Sequence, residues 1–251
     1  MTFEIAIILL GAMAGGFVNG LTGFGMGMTA MPIWLFALSP VIAAQLAAAG
    51  GVAGQLTTLP SIWHLIRPRV VAPYIVAGLF GVPIGVWLLP LIDPPKFKLG
   101  VGGMIVAYCL IMQFAAQRLR ISSSGTVSEA LVGFIGGIGG GLAGLSGPAL
   151  VVWASSRGLA KDDKRALFQT FNLTILSAML AASAANGLIG WPLLRALVIS
   201  LPVTLLSARV GHAVYTRLNE RRFDALVLGL LAASGLMLIA ANVGTVMTHR
   251  P

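Results

Sequence analysis

Uncharged runs dominate this chain. From Ile5 to Trp63 there is no Asp, Glu, Lys, Arg or His, and further uncharged runs cover Val70–Ile92, Leu99–Gln117, Ala130–Ser156, Ala166–Leu194 and Ala225–Thr248. A bilayer core takes about 20 apolar residues per helical crossing, so the first run alone holds two or more membrane elements. The pattern predicts an all-α polytopic membrane protein with about eight to ten membrane segments. The first element, Ile5 to Leu38, is too long and too rich in glycine for one helix. It is expected either to cross once or to fold back as a hairpin of broken helices.

The two halves resemble each other. Gly15-Gly16-Phe17-Val18-Asn19-Gly20-Leu21-Thr22-Gly23 aligns with Gly136-Gly137-Ile138-Gly139-Gly140-Gly141-Leu142-Ala143-Gly144 at a constant offset of 121. Later, Arg69, Gly85, Phe97 and Gly103 fall on Arg195, Gly211, Phe223 and Gly229 at an offset of 126, the extra residues being absorbed by the charged loop Lys161–Arg165. The expected organisation is two homologous membrane repeats, 1–120 and 121–251.

Charge placement bears on their relative orientation. If each repeat begins with a hairpin, Arg67, Arg69, Arg118, Arg120, Arg157, Lys161, Lys164, Arg165, Arg217, Arg221 and Arg222 share one face, against Lys96, Lys98, Arg195 and Arg250 on the other. Retention of Lys and Arg on the cytoplasmic side favours this arrangement, with inverted repeats and both termini outside, over a parallel four-plus-four one. Inverted repeats with interrupted helices recur among transporters.

Composition agrees with the pattern: 57% hydrophobic and 9% charged residues, with a mean hydropathy of +0.94. The net charge of +9 sits in short loops, which reads as topology and not as a nucleic-acid surface. Cys109 is the sole cysteine, so neither a disulfide framework nor a thiolate metal site is expected. No cofactor or metal site is expected elsewhere. The start of the chain lacks a basic n-region and reads as a retained membrane segment.

Two segments break the helical pattern. Asn19-Gly20-Leu21-Thr22-Gly23-Phe24-Gly25-Met26-Gly27 and Gly139-Gly140-Gly141-Leu142-Ala143-Gly144-Leu145-Ser146-Gly147-Pro148 are too glycine-dense for helix interiors, where each Gly costs roughly 1 kcal/mol relative to Ala. Unwound backbone at membrane depth is tolerated only inside protein or along a wet cavity. There its amides, and the positive end of a following helix, suit an anion. The hydroxyls of Thr22 and Ser146 add donors. The competing reading is close helix packing through small residues, which is assigned to Gly11/Gly15 and Gly81/Gly85.

Gly20-Leu21-Thr22-Gly23-Phe24-Gly25 with Pro32, and Gly137 through Pro148, together with Arg157-Gly158-Leu159-Ala160-Lys161-Asp162-Asp163-Lys164-Arg165-Ala166 and the Asp93-Pro94 loop, resemble the TauE/SafE (sulfite exporter, TSUP) family over essentially the whole chain. The first cluster departs from consecutive glycines in reading Gly23-Phe24-Gly25-Met26-Gly27. The resemblance implies secondary transport of small sulfur-containing anions such as sulfite or sulfonates; alternating access and export are the expected mode and direction, while the resemblance itself identifies neither the anion nor the direction. The implied location is a bacterial inner membrane, with the lipid bilayer and the anion as partners. Proton or counter-anion coupling, and the oligomeric state (a homodimer being one arrangement), stay open.

Candidate substrate-binding residues are Asn19, Gly20, Thr22, Gly23, Phe24, Gly25, Gly141, Gly144, Ser146, Gly147, Gln169, Asn172 and Arg209. Gln169 and Asn172 share a helical face. Arg209, inside an apolar stretch, is expected either to meet the anion or to snorkel to the interface. The five tryptophans are expected to anchor at interfaces. Two other classes use the same residues: a passive anion channel, and an intramembrane serine protease using Gly144-Leu145-Ser146-Gly147 with His212 as base. The protease is disfavoured by Pro148 and by the duplication, so the expectation is a non-enzyme.

Overall fold

A computed structural model describes residues 2–115, 125–215 and 217, with isolated positions at 229, 232, 233, 235, 236 and 238. The run Ala225–Thr248, the boundary at 120/121 and Arg118, Arg120, Arg221, Arg222 and Arg250 lie outside these residues or at their isolated positions. Among the described residues the regular structure is helical. The helices are α1 Thr2–Thr22, α2 Met26–Trp34, α3 Pro40–Thr58, α4 Pro68–Leu88, α5 Pro94–Leu110, α6 Thr126–Ala143, α7 Gly147–Ser156, α8 Lys161–Ala185 and α9 Trp191–Tyr215. Seven of the described helices are long and apolar enough to span a bilayer; α2 and α7, with 9 and 10 residues, are not.

Proline and glycine punctuate the chain where local geometry requires it. Pro40, Pro68 and Pro94 open their helices, where a missing N–H costs nothing. α1 ends at Gly23 (φ 76°) and α6 at Gly144 (φ 64°), a left-handed conformation that side chains resist. At the second site Gly144 N donates to Gly140 O (2.9 Å), the single bond of a left-handed cap, and Leu145 N donates to Gly139 O (3.1 Å) as the chain turns.

The contacts fix the helix directions. α2 turns back along α1, with Gly15 against Met26 and Ala30, Gly11 against the Trp34 ring, and Trp34 Nε1 donating to Ile8 O (3.0 Å). Trp34 is fully buried and so corrects its expected interfacial position; Trp63, Trp87 and Trp191 are exposed. α1 and α9 run parallel, Gly16 meeting Thr204 and Gly20 meeting Ala208. α4 and α6 also run parallel, Gly133 meeting Tyr74, Gly137 meeting Gly78 and Gly141 meeting Val82. α3 follows α1, since Asn19 reaches Gly51 and Gly23 reaches Gln55. α8 opposes α3, with Gln169 at Gln55 and Leu176 at Gly51, and follows α6. Thus α1, α3 and α9 point one way and α4, α6 and α8 the other. Glycine replaces larger residues along both parallel seams, where an added Cβ would collide with the facing backbone. Close backbone approach of this kind supplies the packing contact that water expulsion cannot supply in lipid.

Arg67, Arg69, Arg157, Lys164 and Arg217 lie at the end where α9 finishes, and Lys96, Lys98 and Arg195 at the other. The cation-rich end is tied together by Arg157 to Glu129 (2.8 Å) and by Trp153 Nε1 to the Tyr74 hydroxyl (3.0 Å). Arg165 belongs to neither group: it is drawn inward and is 2% exposed.

Candidate anion site at two interrupted helices

Each interruption leaves a short helix whose first amides face the protein interior. Gly25 (φ 90°) precedes α2 and Ser146 precedes α7, and neither helix start has a side-chain cap. The first amides of a helix have no acceptor within it, and they carry the positive end of its dipole. The two segments touch: a Cβ on Gly27 would stand 2.7 Å from Gly144 O, and one on Gly147 would stand 2.8 Å from the Phe24 ring. Phe24 also packs edge-on against Phe168 (5.5 Å).

A buried polar shell surrounds the first interruption. Asn19 Nδ2 donates to Gly51 O (3.2 Å), Gln55 Nε2 to Gly23 O (3.4 Å), and Gln169 Nε2 to Gln55 O (2.9 Å) and Thr58 Oγ1 (2.8 Å). Arg165 donates from Nη2 to Gly20 O (3.0 Å) and from Nη1 to Leu21 O (3.2 Å), so it covers the carbonyl end of α1. Its guanidinium lies 3.9 Å over the Tyr215 ring. Arg165 Nη2 also meets His212 Nδ1 at 3.0 Å. Behind it, the Tyr215 hydroxyl donates to Asp162 (2.9 Å).

Arg165 forms no ion pair among the described residues, although Asp162, one turn back on α8, lies close enough to attract its charge. Among the described residues the ion pair formed is Arg157–Glu129, and Arg165 Nε lacks a hydrogen-bond partner. A helix C-terminus offers only about half a negative charge, whereas a buried cation is ordinarily paired. The amide oxygens of Asn19, Gln55 and Gln169 are likewise without partners. The shell therefore combines a guanidinium outside any ion pair with three buried amide oxygens that lack a donor.

The structure brings most of the expected residues together. Asn19, Thr22, Gly23, Phe24, Gly25 and Gln169 gather at the first interruption; Gly144, Ser146, Gly147 and Asn172 gather at the second. Gly20 and Gly141 turn their Cα faces to the backbones of Ala208 and Val82 in the helix seams, while the Gly20 carbonyl accepts from Arg165. Arg209 lies on the outer face of α9 between exposed Leu206 and Val210, which corrects its expected place in the site. Helix rotation decides this, since its neighbour Ala208 occupies the face turned to α1. The hydroxyls are also committed: Thr22 Oγ1 donates to Val18 O (2.9 Å) and accepts from Phe24 N (3.1 Å), and Ser146 donates to Asn172 Oδ1. Ser146 and His212 thus have an amide and a guanidinium as partners, and not each other. Sequence reasoning placed Arg165 in a loop and missed it. Its spacing from Gln169 and Asn172, i, i+4 and i+7 on one face, was the available signal.

Interrupted helices meeting inside a bundle of membrane-spanning helices define a polytopic α-helical membrane protein with a candidate ion site beside the interruptions. The model of the sulfite exporter TauE/SafE family matches residues 7–238 of the chain. The protein belongs to that family, a family of anion-exporting membrane transporters. Comparison with curated proteins and with solved structures gave no match.

Proposed function

We propose that this protein is a secondary transporter that exports small sulfur-containing anions, sulfite or sulfonates, across the bacterial inner membrane by alternating access. The anion is held between Arg165 and the amides of the two interrupted helices, with Asn19, Gln55 and Gln169 orienting it. The observation that carries this reading is a buried guanidinium outside any ion pair, whose side chain lies against Gly23 at the first interruption. An intramembrane Arg costs from about 3 kcal/mol upward. An oxyanion offsets that cost, because the planar fork of Arg matches two of its oxygens.

The opposed helix directions support a further part of the reading. The sequence alignment pairs α1 with α6 and α3 with α8, and the members of each pair run in opposite senses. We read these opposed senses as two inverted repeats, 1–120 and 121–251, that rock about a shared site.

Reconstitution into proteoliposomes tests the proposal. Uptake of sulfite or methanesulfonate is expected to saturate and to show counterflow. Flux without saturation or counterflow replaces the carrier with a channel, and absence of flux for every sulfur anion removes the reading.

A further inference from the structure

The contact between Arg165 and His212 has a chemical consequence. Arg can only donate, so at 3.0 Å His212 Nδ1 must be the acceptor, and the imidazole is neutral in this arrangement. A proton on Nδ1 would place two donors and two positive charges face to face. The proton and the present Arg165–His212 bond therefore exclude each other, unless a negative group enters between them.

We propose, on the reading of the site as an anion carrier, that His212 is its coupling-proton site and that anion and proton bind together. The proton comes from solution and forms a bond to His212 Nδ1. Arg165 Nη2 leaves the imidazole and donates to an oxygen of the anion, which also accepts from the new Nδ1–H. The site holds one net positive charge before and after, since a monoanion and a proton enter together. The transported unit is thus electrically neutral: an inward proton gradient drives uptake, and export runs down the anion's own outward gradient.

Three features support this assignment. Histidine is the side chain whose ordinary titration falls in the physiological range, and among the described residues His212 is the one histidine inside a spanning helix. It is half-buried and lies near the cation-rich end of α9. Among the described residues the charged groups around it also leave the proton to it. α8 presents Arg165, with Asp162 reached through Tyr215. On α9 itself Tyr215 stacks nearby and Arg209 faces outward, with Arg217 just beyond the helix. α1 presents Phe17 and Leu21 at Gly211, the neighbouring residue; its ionisable residue, Glu4, lies at the far end. α3 has no ionisable residue.

Because binding linkage is reciprocal, an anion that promotes protonation of His212 must itself bind more tightly as pH falls. One linked proton gives a limiting slope of about tenfold in affinity per pH unit. Methanesulfonate is the probe, as it stays anionic throughout and any slope belongs to the protein. The full-length protein in proteoliposomes is expected to bind it more tightly from pH 8 to pH 5, to take up close to one proton per anion in weak buffer, and to accumulate it when driven by a pH gradient. His212→Gln keeps an acceptor for Arg165 but cannot take the proton; its affinity should lose the pH slope and its flux the gradient dependence. His212→Asn serves the same purpose if the Gln variant does not fold. Wild-type binding that ignores pH, no proton uptake, or a slope retained in a folded His212 variant would overturn the inference while leaving the anion site standing. Failure of wild type to bind either methanesulfonate or sulfite at any pH removes the anion reading, and this inference with it.

Discussion

Arg165 and Arg209 sit at similar depth, since Ala208 of α9 faces Gly20, whose carbonyl Arg165 engages. Their surroundings are opposite. Arg165 is buried against helix carbonyls and an aromatic face, whereas Arg209 is exposed and free to extend along the bundle surface toward the interface. Arg165→Ala is therefore expected to raise the dissociation constant for sulfite or methanesulfonate by about ten- to a hundredfold, the equivalent of a lost charge-assisted hydrogen bond of about 1.5–3 kcal/mol. Arg165→Lys should recover part of this, keeping the charge but not the fork. Arg209→Ala should bind like the parent. Titration calorimetry on the three purified variants checks this, with a melting curve for each to exclude unfolding. Equal affinity in all three would remove Arg165 from the site.

Glycine has two separable roles at the scale of elements. At Gly23 and Gly144 a positive φ turns the chain out of a long helix and into a short one. Gly23 also looks onto Arg165 and Gln169, a Cβ there standing 3.6 Å from each. Gly23→Leu and Gly144→Leu are expected to abolish flux through the reconstituted protein while a folded population remains in the membrane. Normal flux in either would show that the interruption does not touch the anion. Along α4 the demand is different: Gly81 and Gly85 lie against the backbone of α6. Gly85→Ala should lower thermal stability by about 1–3 kcal/mol through overpacking, and Gly100→Ala, inside α5 with open space around it, should leave the melting temperature level or slightly raised by its better helix propensity. A Gly85→Ala protein as stable as Gly100→Ala would mean that the seam relaxes without cost.

For the whole molecule, the cation-rich end is expected to face the cytoplasm. In a Cys109→Ala background, Trp63→Cys and Ala160→Cys should label from the cytoplasmic side and Asp93→Cys from the other. The first two positions lie on connections at the cation-rich end, and Asp93 lies on the turn between α4 and α5. Opposite accessibility of Trp63→Cys and Ala160→Cys would contradict the helix directions on which the proposed inverted repeats rest.

Much of this architecture is written in local pattern. Uncharged length fixed the spanning helices, because each backbone polar group in lipid must be satisfied within its own segment. The glycine density at 19–27 and 139–148 located both interruptions, because a helix interior penalises that composition wherever it lies. The approach of α2 to α7, and of Arg165 to the end of α1, depends on contacts between residues more than a hundred positions apart, which periodicity does not encode. Rotation of α9 about its axis turned Ala208 inward and Arg209 outward, and packing against α1 set that rotation. A charge in a loop and a charge in a core look alike in sequence when both follow a turn. Tertiary structure alone drew Arg165 inside, since the carbonyls that hold it belong to a helix from the other half of the chain.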